Sequence, residues 1–354
     1  MTNIQALNSL DEALVDSAKN VKILYYIEPV NAEDQKEEFL AGRIQNPRFT
    51  YRDLEYNPED VAQKLEPIET PDDELGAIFE RKKKNILLEN TIIANRGDED
   101  KVRETTVAVY GSPDERLVEY ADELLRQIPN VEATKNVSSE HIIAALQEAL
   151  YEYGLTDWNV EVSDKKLTTV YAAEKKISVC RNRKFAEIDT ERLKVHEVGV
   201  HVLRAANGYE QPLKIFALGL PGYLPTEEGL ALYFEELTGN TSKELVRDYA
   251  ARVIAMDSVC RGLNFRQTFD RLKSYDLTDD QAWNLAVRAH RAGGYIKDHV
   301  YLQGYRRVKE FAAKDGDFDT LYVGKIGIEH LQLVGRLLKD GILKEANHKP
   351  RFVY

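Results

Sequence analysis

Apolar residues recur at helical spacing over the first hundred positions, interrupted by a short apolar run, "KILYYIEPVN", in which Pro29 and Asn31 act as breakers. "QNPRFTYRDL", from Gln45 to Leu54, reads as an extended connection. Helical spacing resumes in "DDELGAIFERKKKNILLENTIIANRGD" and stops at the turn signal of Asn95 and Gly97. "ETTVAVYGSP" is rich in Val, Thr and Tyr and closed by Gly111 and Pro113, which predicts a strand. Two amphipathic helices are expected next, near 114–128 and 138–153.

The period then changes. In "DWNVEVSD", Trp158, Val160 and Val162 alternate with polar neighbours, as in a half-buried strand. "LTTVYAAEKKISVCRN" predicts two more strands around the charged connection Glu174, Lys175 and Lys176. From Ser242 to Leu343 the pattern is again helical, with breaks near Gly262, Asp276, Gly293 and Gly294, and "KDGDFD". The expected class is α+β, a mostly helical body with a small antiparallel sheet.

That sheet leads into "KVHEVGVHVLRAANG", residues 194–208. Asp189 or Thr190 can cap a helix here, Asn207 and Gly208 can stop it, and Leu193, Val198, Val202 and Leu203 give it a buried side. The string resembles the zinc-protease pattern H-E-x-x-H, but His201 follows His196 by five positions instead of four. On a regular α-helix, at roughly 100° per residue, that separation is about 140° rather than about 40°. A π-bulge wraps more residues into one turn and would bring the two imidazoles back to one face. Gly199, inside the interval, tolerates such distortion.

Catalytic zinc takes a third protein ligand and leaves a position open. Downstream, "LPTEEGLALYFEELTG" announces a helix with Pro225 and Thr226, Thr226 as N-cap and Glu227 and Glu228 in the first turn. Carboxylates favour that place through the helix dipole alone. Gly229 has no such excuse, and close approach of a second backbone, such as the motif helix, would account for it.

Composition narrows the function. The chain of 354 residues is 43% hydrophobic and 31% charged, with 48 Lys and Arg against 60 acidic residues and a net charge of −12. A nucleic-acid partner is not expected of such a surface. The basic run Arg81 to Lys84 reads as a solvated helix face. No stretch is long and apolar enough for a membrane span, and the first residues lack a signal peptide's apolar core. Two cysteines, Cys180 and Cys260, exclude a disulfide framework, fit a reducing cytoplasm and read as packing residues. No internal repeat, Ser elbow or phosphate-cradling glycine loop is present.

Taken together, "HEVGVH", "RAANGYEQP" and "PTEEGLA" resemble the QEGLA-motif family, which includes the microtubule-associated tyrosine carboxypeptidases. "QNPRFTY", "VYGSP", "SVCRGLNFRQTF", "AGGYIKDHVYLQG" and "LYVGKIGI" look like further blocks of it, so the likeness covers most of the chain. Glu227 stands where many bacterial relatives carry Gln, while animal tubulin-processing members look like this chain. The resemblance implies a zincin-like zinc metallopeptidase with His196, His201 and Glu228 as ligands and Glu197 as catalytic carboxylate. The expected organisation is an N-terminal helical region, 1–104, packed on a catalytic domain, 105–354, or one continuous domain.

The expected activity is removal of aromatic or acidic C-terminal residues from a peptide or protein tail; the alternative is a zinc-binding regulatory protein without turnover. An oxyanion donor is expected from Tyr301, with Tyr295 and His290 as alternatives. A terminal carboxylate calls for a cation, and Lys297, Arg306 and Lys325 are the leading candidates among a set that also holds Arg204, Arg261 and Arg307. Gly293 and Gly294 are expected at a site wall, and the strands near 167–180 could pair with an extended substrate. His141, His299, His330 and His348 read as structural or surface residues.

Overall fold

A computed structural model describes residues 4–131, 133–163 and 168–352. The chain is α+β and mostly helical. It divides into two compact units that interleave along the sequence: residues up to 131 with 243–303, and residues up to 242 from 132 on with 304 onward. A single cut after 104 is not what the fold uses, because that position lies inside a helix. None of the described helices is long and apolar enough to cross a membrane.

The first unit is helical. Its helix Glu99–Tyr110 occupies the stretch predicted as a strand. Asp98 accepts a hydrogen bond from the Lys101 N–H at 3.0 Å and caps the start. Val102, Thr105 and Thr106 form the buried side, and both threonine hydroxyls donate to carbonyls one turn back, Lys101 O and Val102 O, at 2.6 and 2.7 Å. The β-branched residues are thus accommodated by back-bonding, and the cap and face override their strand preference. Gly293 and Gly294 adopt φ of 110° and 136°. A side chain on Gly293 would meet the Asp98 and Glu99 backbone at 3.0–3.1 Å, so the pair closes against this helix start. The basic run is not wholly solvated: Lys83 is buried, donating to Ile68 O at 2.8 Å.

In the second unit β1 (Lys135–Val137) pairs antiparallel with β5 (Phe185–Ala186). The larger sheet has the order β2 (Asn159–Ser163), β4 (Lys176–Cys180), β3 (Thr169–Tyr171). Only β3 runs antiparallel to β4; β2 is parallel to it, with Asn159 opposite Lys176 and Ser163 opposite Cys180. The antiparallel expectation therefore holds for one of the two pairings. Leu167, expected to open the second strand, lies outside the described residues. As the middle strand, β4 buries Ile177, Ser178 and Val179 in succession, and helix Ser139–Glu152 packs on it and on β2.

From β5 the chain enters the motif helix, 189–210. Its middle, Lys194–Val202, is π-helical, flanked by α-helical turns Asp189–Leu193 and Leu203–Glu210. The Leu203 N–H bonds Val198 O, five residues back, which is the pattern that absorbs the extra residue. The Tyr322 hydroxyl donates to Gly199 O at 2.7 Å. A Cβ on Gly199 would stand 2.6 Å from the Phe352 ring, so the notch is filled from outside the helix.

The helix ends differ from expectation. Asp189 does not cap; its carboxylate accepts from Ala186 N–H at 3.0 Å and from Arg192 Nε at 2.8 Å. Asn207 and Gly208 lie within the helix. The Asn207 amide donates to Tyr322 O and His348 O, and a Cβ on Gly208 would meet Phe216 O at 2.4 Å.

Helix Leu224–Leu237 packs on the π-helical segment. It begins at Leu224 with Pro225 in its first turn, so Thr226 is inside it; the Thr226 hydroxyl accepts from the Ile328 N–H at 3.1 Å. Gly229 faces helix Val300–Ala312, not the motif helix. A Cβ on Gly229 would lie 2.3 Å from Gly304, and one on Gly304 would lie 1.8 Å from Pro225 O. Two glycines thus let two helix backbones meet.

Gly304→Ala is expected to lower stability by at least about 1–3 kcal/mol, because backbone has to move to admit the methyl group. Gly335→Ala, on an exposed helical position where a Cβ meets nothing within 4 Å, should instead raise it by about 0.4–1 kcal/mol. Urea unfolding of both checks the contrast; equal effects would contradict the packing. Tyr322→Phe should cost about 0.5–1.5 kcal/mol by removing the hydroxyl's hydrogen bond to the buried Gly199 carbonyl. A Tyr322→Phe variant as stable as wild type would show that this hydroxyl does not hold the bulge.

Candidate metal centre

His196, Glu197 and His201 come from the π-helical segment, and Glu228 from the first turns of helix Leu224–Leu237. All but His201 are buried. With i to i+5 bonding the two imidazoles return to one side of the helix, their ring centroids 4.8 Å apart and their planes 84° to each other. Glu228 Oε2 lies 3.8 Å from His196 Nε2 and 3.7 Å from His201 Nε2. Among the described residues, His196, His201 and Glu228 form the cluster able to hold a metal, with ligand atoms within 4.8 Å of one another.

The opposite ring nitrogens are engaged. His196 Nδ1 is 2.7 Å from Glu235 Oε1, and Arg192 donates to the same oxygen at 3.2 Å. His201 Nδ1 is 2.9 Å from Glu227 Oε1, to which Lys325 also donates at 2.8 Å. Arg204 holds the other Glu227 oxygen and donates further to Leu321 O and Ile326 O. Burial opposes ionisation of Glu227, but the charges of Lys325 and Arg204 and the His201 hydrogen bond hold its carboxyl well below the usual carboxylate range. At His196 burial likewise opposes the charged form, yet the hydrogen bond and charge of Glu235, with Glu197 and Glu228 nearby, outweigh it and raise the imidazole.

One atom tests the fit of a metal. Glu228 Oε2 is buried and has no hydrogen-bond partner. Buried carboxylate oxygens are rarely orphaned, and this one points at two imidazole nitrogens whose other sides are already bonded. Two imidazole nitrogens and one carboxylate oxygen are a donor set suited to a single divalent ion with a coordination position left open.

The other predicted residues fall in different places. Lys325 belongs to this cluster, where it is bonded to Glu227 Oε1 beside His201 at 2.8 Å. Arg204 is fully buried behind the same residue. Arg306 is half-buried in the second unit on helix Val300–Ala312, and its neighbour Arg307 pairs with Glu329 at 3.2 Å. Tyr301 and Lys297 belong to the first unit, where the Tyr301 ring stacks on Tyr249 at 5.5 Å, with Arg252 4.8 Å and Lys297 5.8 Å from its centroid. Tyr295 is buried there and donates to the Tyr110 hydroxyl at 3.1 Å; Arg261 pairs with Asp257.

His290 bonds the Thr268 hydroxyl, and burial pushes it down to about 4; His299 is buried and His348 pairs with Glu210. Cys180 and Cys260 are unpaired and half-buried, and burial pushes the Cys260 thiol up to about 11, far from a nucleophile's range. Sequence reading missed Glu235 and Arg192 and took Asp189 only as a cap. Glu235 follows Glu228 by seven positions, two helical turns, so its place on the same side of that helix was the available signal.

Comparison with known proteins identifies the family. The family model described as microtubule-associated tyrosine carboxypeptidase matches residues 37–354. The chain is 34% identical over 170 residues to microtubule-associated tyrosine carboxypeptidase 1 of Homo sapiens, covering 45% of this chain and 34% of the relative. It is 31% identical over 170 residues to the Rattus norvegicus protein of that name, covering 45% and 35%, and 32% over 149 residues to that of Mus musculus, covering 39% and 31%. These matches span about a third of the length of the curated relatives. No solved structure matches the chain. With nearly all of its length matched by one family model, the chain belongs to the microtubule-associated tyrosine carboxypeptidase family.

Proposed function

We propose that this protein is a zinc metallocarboxypeptidase of zincin-like design that removes a C-terminal residue from a peptide or protein tail. The observation that carries the reading is the orphaned Glu228 Oε2 facing both Nε2 atoms. Charge supports a divalent occupant. Around the two imidazoles stand five buried carboxylates, Asp189, Glu197, Glu227, Glu228 and Glu235, against three cations, Arg192, Arg204 and Lys325. With both rings neutral, two negative charges are left over, and isolated buried charges are costly. One divalent cation offsets them.

Zinc, when bound, supplies Lewis acidity that makes water nucleophilic at neutral pH and polarises a carbonyl. The chain supplies the proton handling. Glu197 adjoins a ligand in sequence and is buried at the same segment. Its carboxylate takes the proton from the attacking water and returns it to the leaving amine. A site that only stored or sensed zinc would have no use for this carboxylate, which favours turnover over a regulatory role. Arg306, in the same unit as the metal cluster, is the proposed partner of the terminal carboxylate. The names of the relatives favour an aromatic, tyrosine-like terminal residue over an acidic one. Unpaired cysteines accord with a cytoplasmic setting.

Purified protein is expected to hold about one zinc per chain, and His196→Ala to lose it. Stripping the ion should lower the unfolding temperature; at a thousandfold excess over Kd the stabilisation amounts to about 4 kcal/mol. Identical melting with and without a chelator would contradict the charge argument. Glu197→Gln should keep zinc and lose at least about 100-fold in turnover. Mass analysis of peptides ending in aromatic residues reads the products: wild type removes single C-terminal residues, whereas internal cuts or full activity in Glu197→Gln overturn the assignment.

A further inference from the structure

A neutral imidazole carries one N–H, and its place decides whether the ring can bind a metal through Nε2. An ionised carboxylate only accepts hydrogen bonds. Glu235 Oε1 at 2.7 Å from His196 Nδ1 and Glu227 Oε1 at 2.9 Å from His201 Nδ1 therefore require the proton on Nδ1 in each ring, leaving both Nε2 lone pairs turned toward Glu228.

Neither carboxylate is left to find this orientation by itself. Glu235 is fully buried and receives Arg192, which is held in turn by Asp189 at 2.8 Å, itself fixed by the Ala186 N–H. Glu227 is gripped on both oxygens, by Arg204 on one and by Lys325 on the other. Helix Leu224–Leu237 supplies Glu227, Glu228 and Glu235, so the metal-facing carboxylate and both orienting carboxylates are spaced by a single rigid element.

We propose that Glu227 and Glu235 are paired positioning residues, each clamped by its own buried cation, which fix both ligand histidines in the Nδ1–H tautomer before any metal arrives. Arg192, Arg204 and Lys325 then belong to the framework of the metal site, and Lys325 in particular is not a substrate-binding residue. The inference rests on the metal reading above for its purpose, but its geometry stands on hydrogen bonds within the protein.

Two measurements test it. Nitrogen-15 NMR of the metal-free protein, at a pH where both rings are neutral, should show His196 and His201 protonated at Nδ1. In Glu235→Gln the amide can turn its NH₂ toward His196, so that ring should shift toward the Nε2–H form while His201 stays unchanged. Zinc competition against a chromophoric chelator should then show about a 10- to 100-fold weaker site in Glu235→Gln, with unchanged helical content. Lys325→Met should weaken zinc binding and leave KM for a C-terminal peptide within about twofold. Wild-type rings protonated at Nε2, zinc affinity unchanged in Glu235→Gln, or a Lys325→Met effect confined to KM would each overturn the proposal. If wild type bound no zinc, the metal reading would fail, and the tautomers of the metal-free rings would still decide this one.

Discussion

A helix that must present two imidazoles to one point has little freedom in how it spaces them. Five positions between His196 and His201 would turn them onto divergent faces of an α-helix, and the segment Lys194–Val202 answers with π-helical winding. That winding is unfavourable in isolation, so the rest of the structure has to hold it. Tyr322 occupies the Gly199 carbonyl, Phe352 fills the space left by the missing Gly199 side chain, and Asn207 ties the following turn to Tyr322 O and His348 O. The segments after Gly304 therefore act on the motif helix from behind, through hydrogen bonds and one aromatic ring.

The second constraint is electrostatic. Concentrating carboxylates around two imidazoles in a buried place is unfavourable unless each has a partner. Glu227 and Glu235 have theirs in Lys325, Arg204 and Arg192, while Glu228 Oε2 has none. Glu235 Oε2 is likewise without a partner, but it is Glu228 Oε2 that lies 3.8 and 3.7 Å from the two Nε2 atoms, and that placement locates the cation more sharply than a count of acidic residues would. Close approach of the two helices bearing Gly229 and Gly304 keeps Glu228 on a rigid backbone while this happens.

The clustering of His196, His201 and Glu228 was legible in the sequence because histidine spacing, a carboxylate in a following helix and an unexplained glycine are local signals. The bulge was legible for the same reason, as the geometric remedy for a late histidine. What failed depended on distant partners. Gly229 was read correctly as a close-approach glycine, yet its partner Gly304 lies 75 positions on, where spacing carries no information. Thr105 and Thr106 looked like strand residues until back-bonding to Lys101 O and Val102 O made them helical. The direction of β2 against β4 is set by the crossover, with β3 placed on the far side of β4, and no alternation of apolar residues records it.

Cations gather near a metal site for two opposed reasons: to meet an anionic substrate, or to offset the carboxylates that orient the ligands. Sequence cannot separate them, since both place Arg or Lys in the same segments. Donor use separates them. Every nitrogen of Arg204 is directed inward, to Leu321 O, Glu227 and Ile326 O, and Lys325 is directed at Glu227. A guanidinium so occupied cannot form a bidentate pair with a chain terminus without abandoning the carboxylate that orients His201. On the proposed function, recognition of a terminal carboxylate would then fall to a cation outside this framework. The cations that brace Glu227 and Glu235 are thereby separated from any that would meet a substrate, which would let one set vary without unsettling the other.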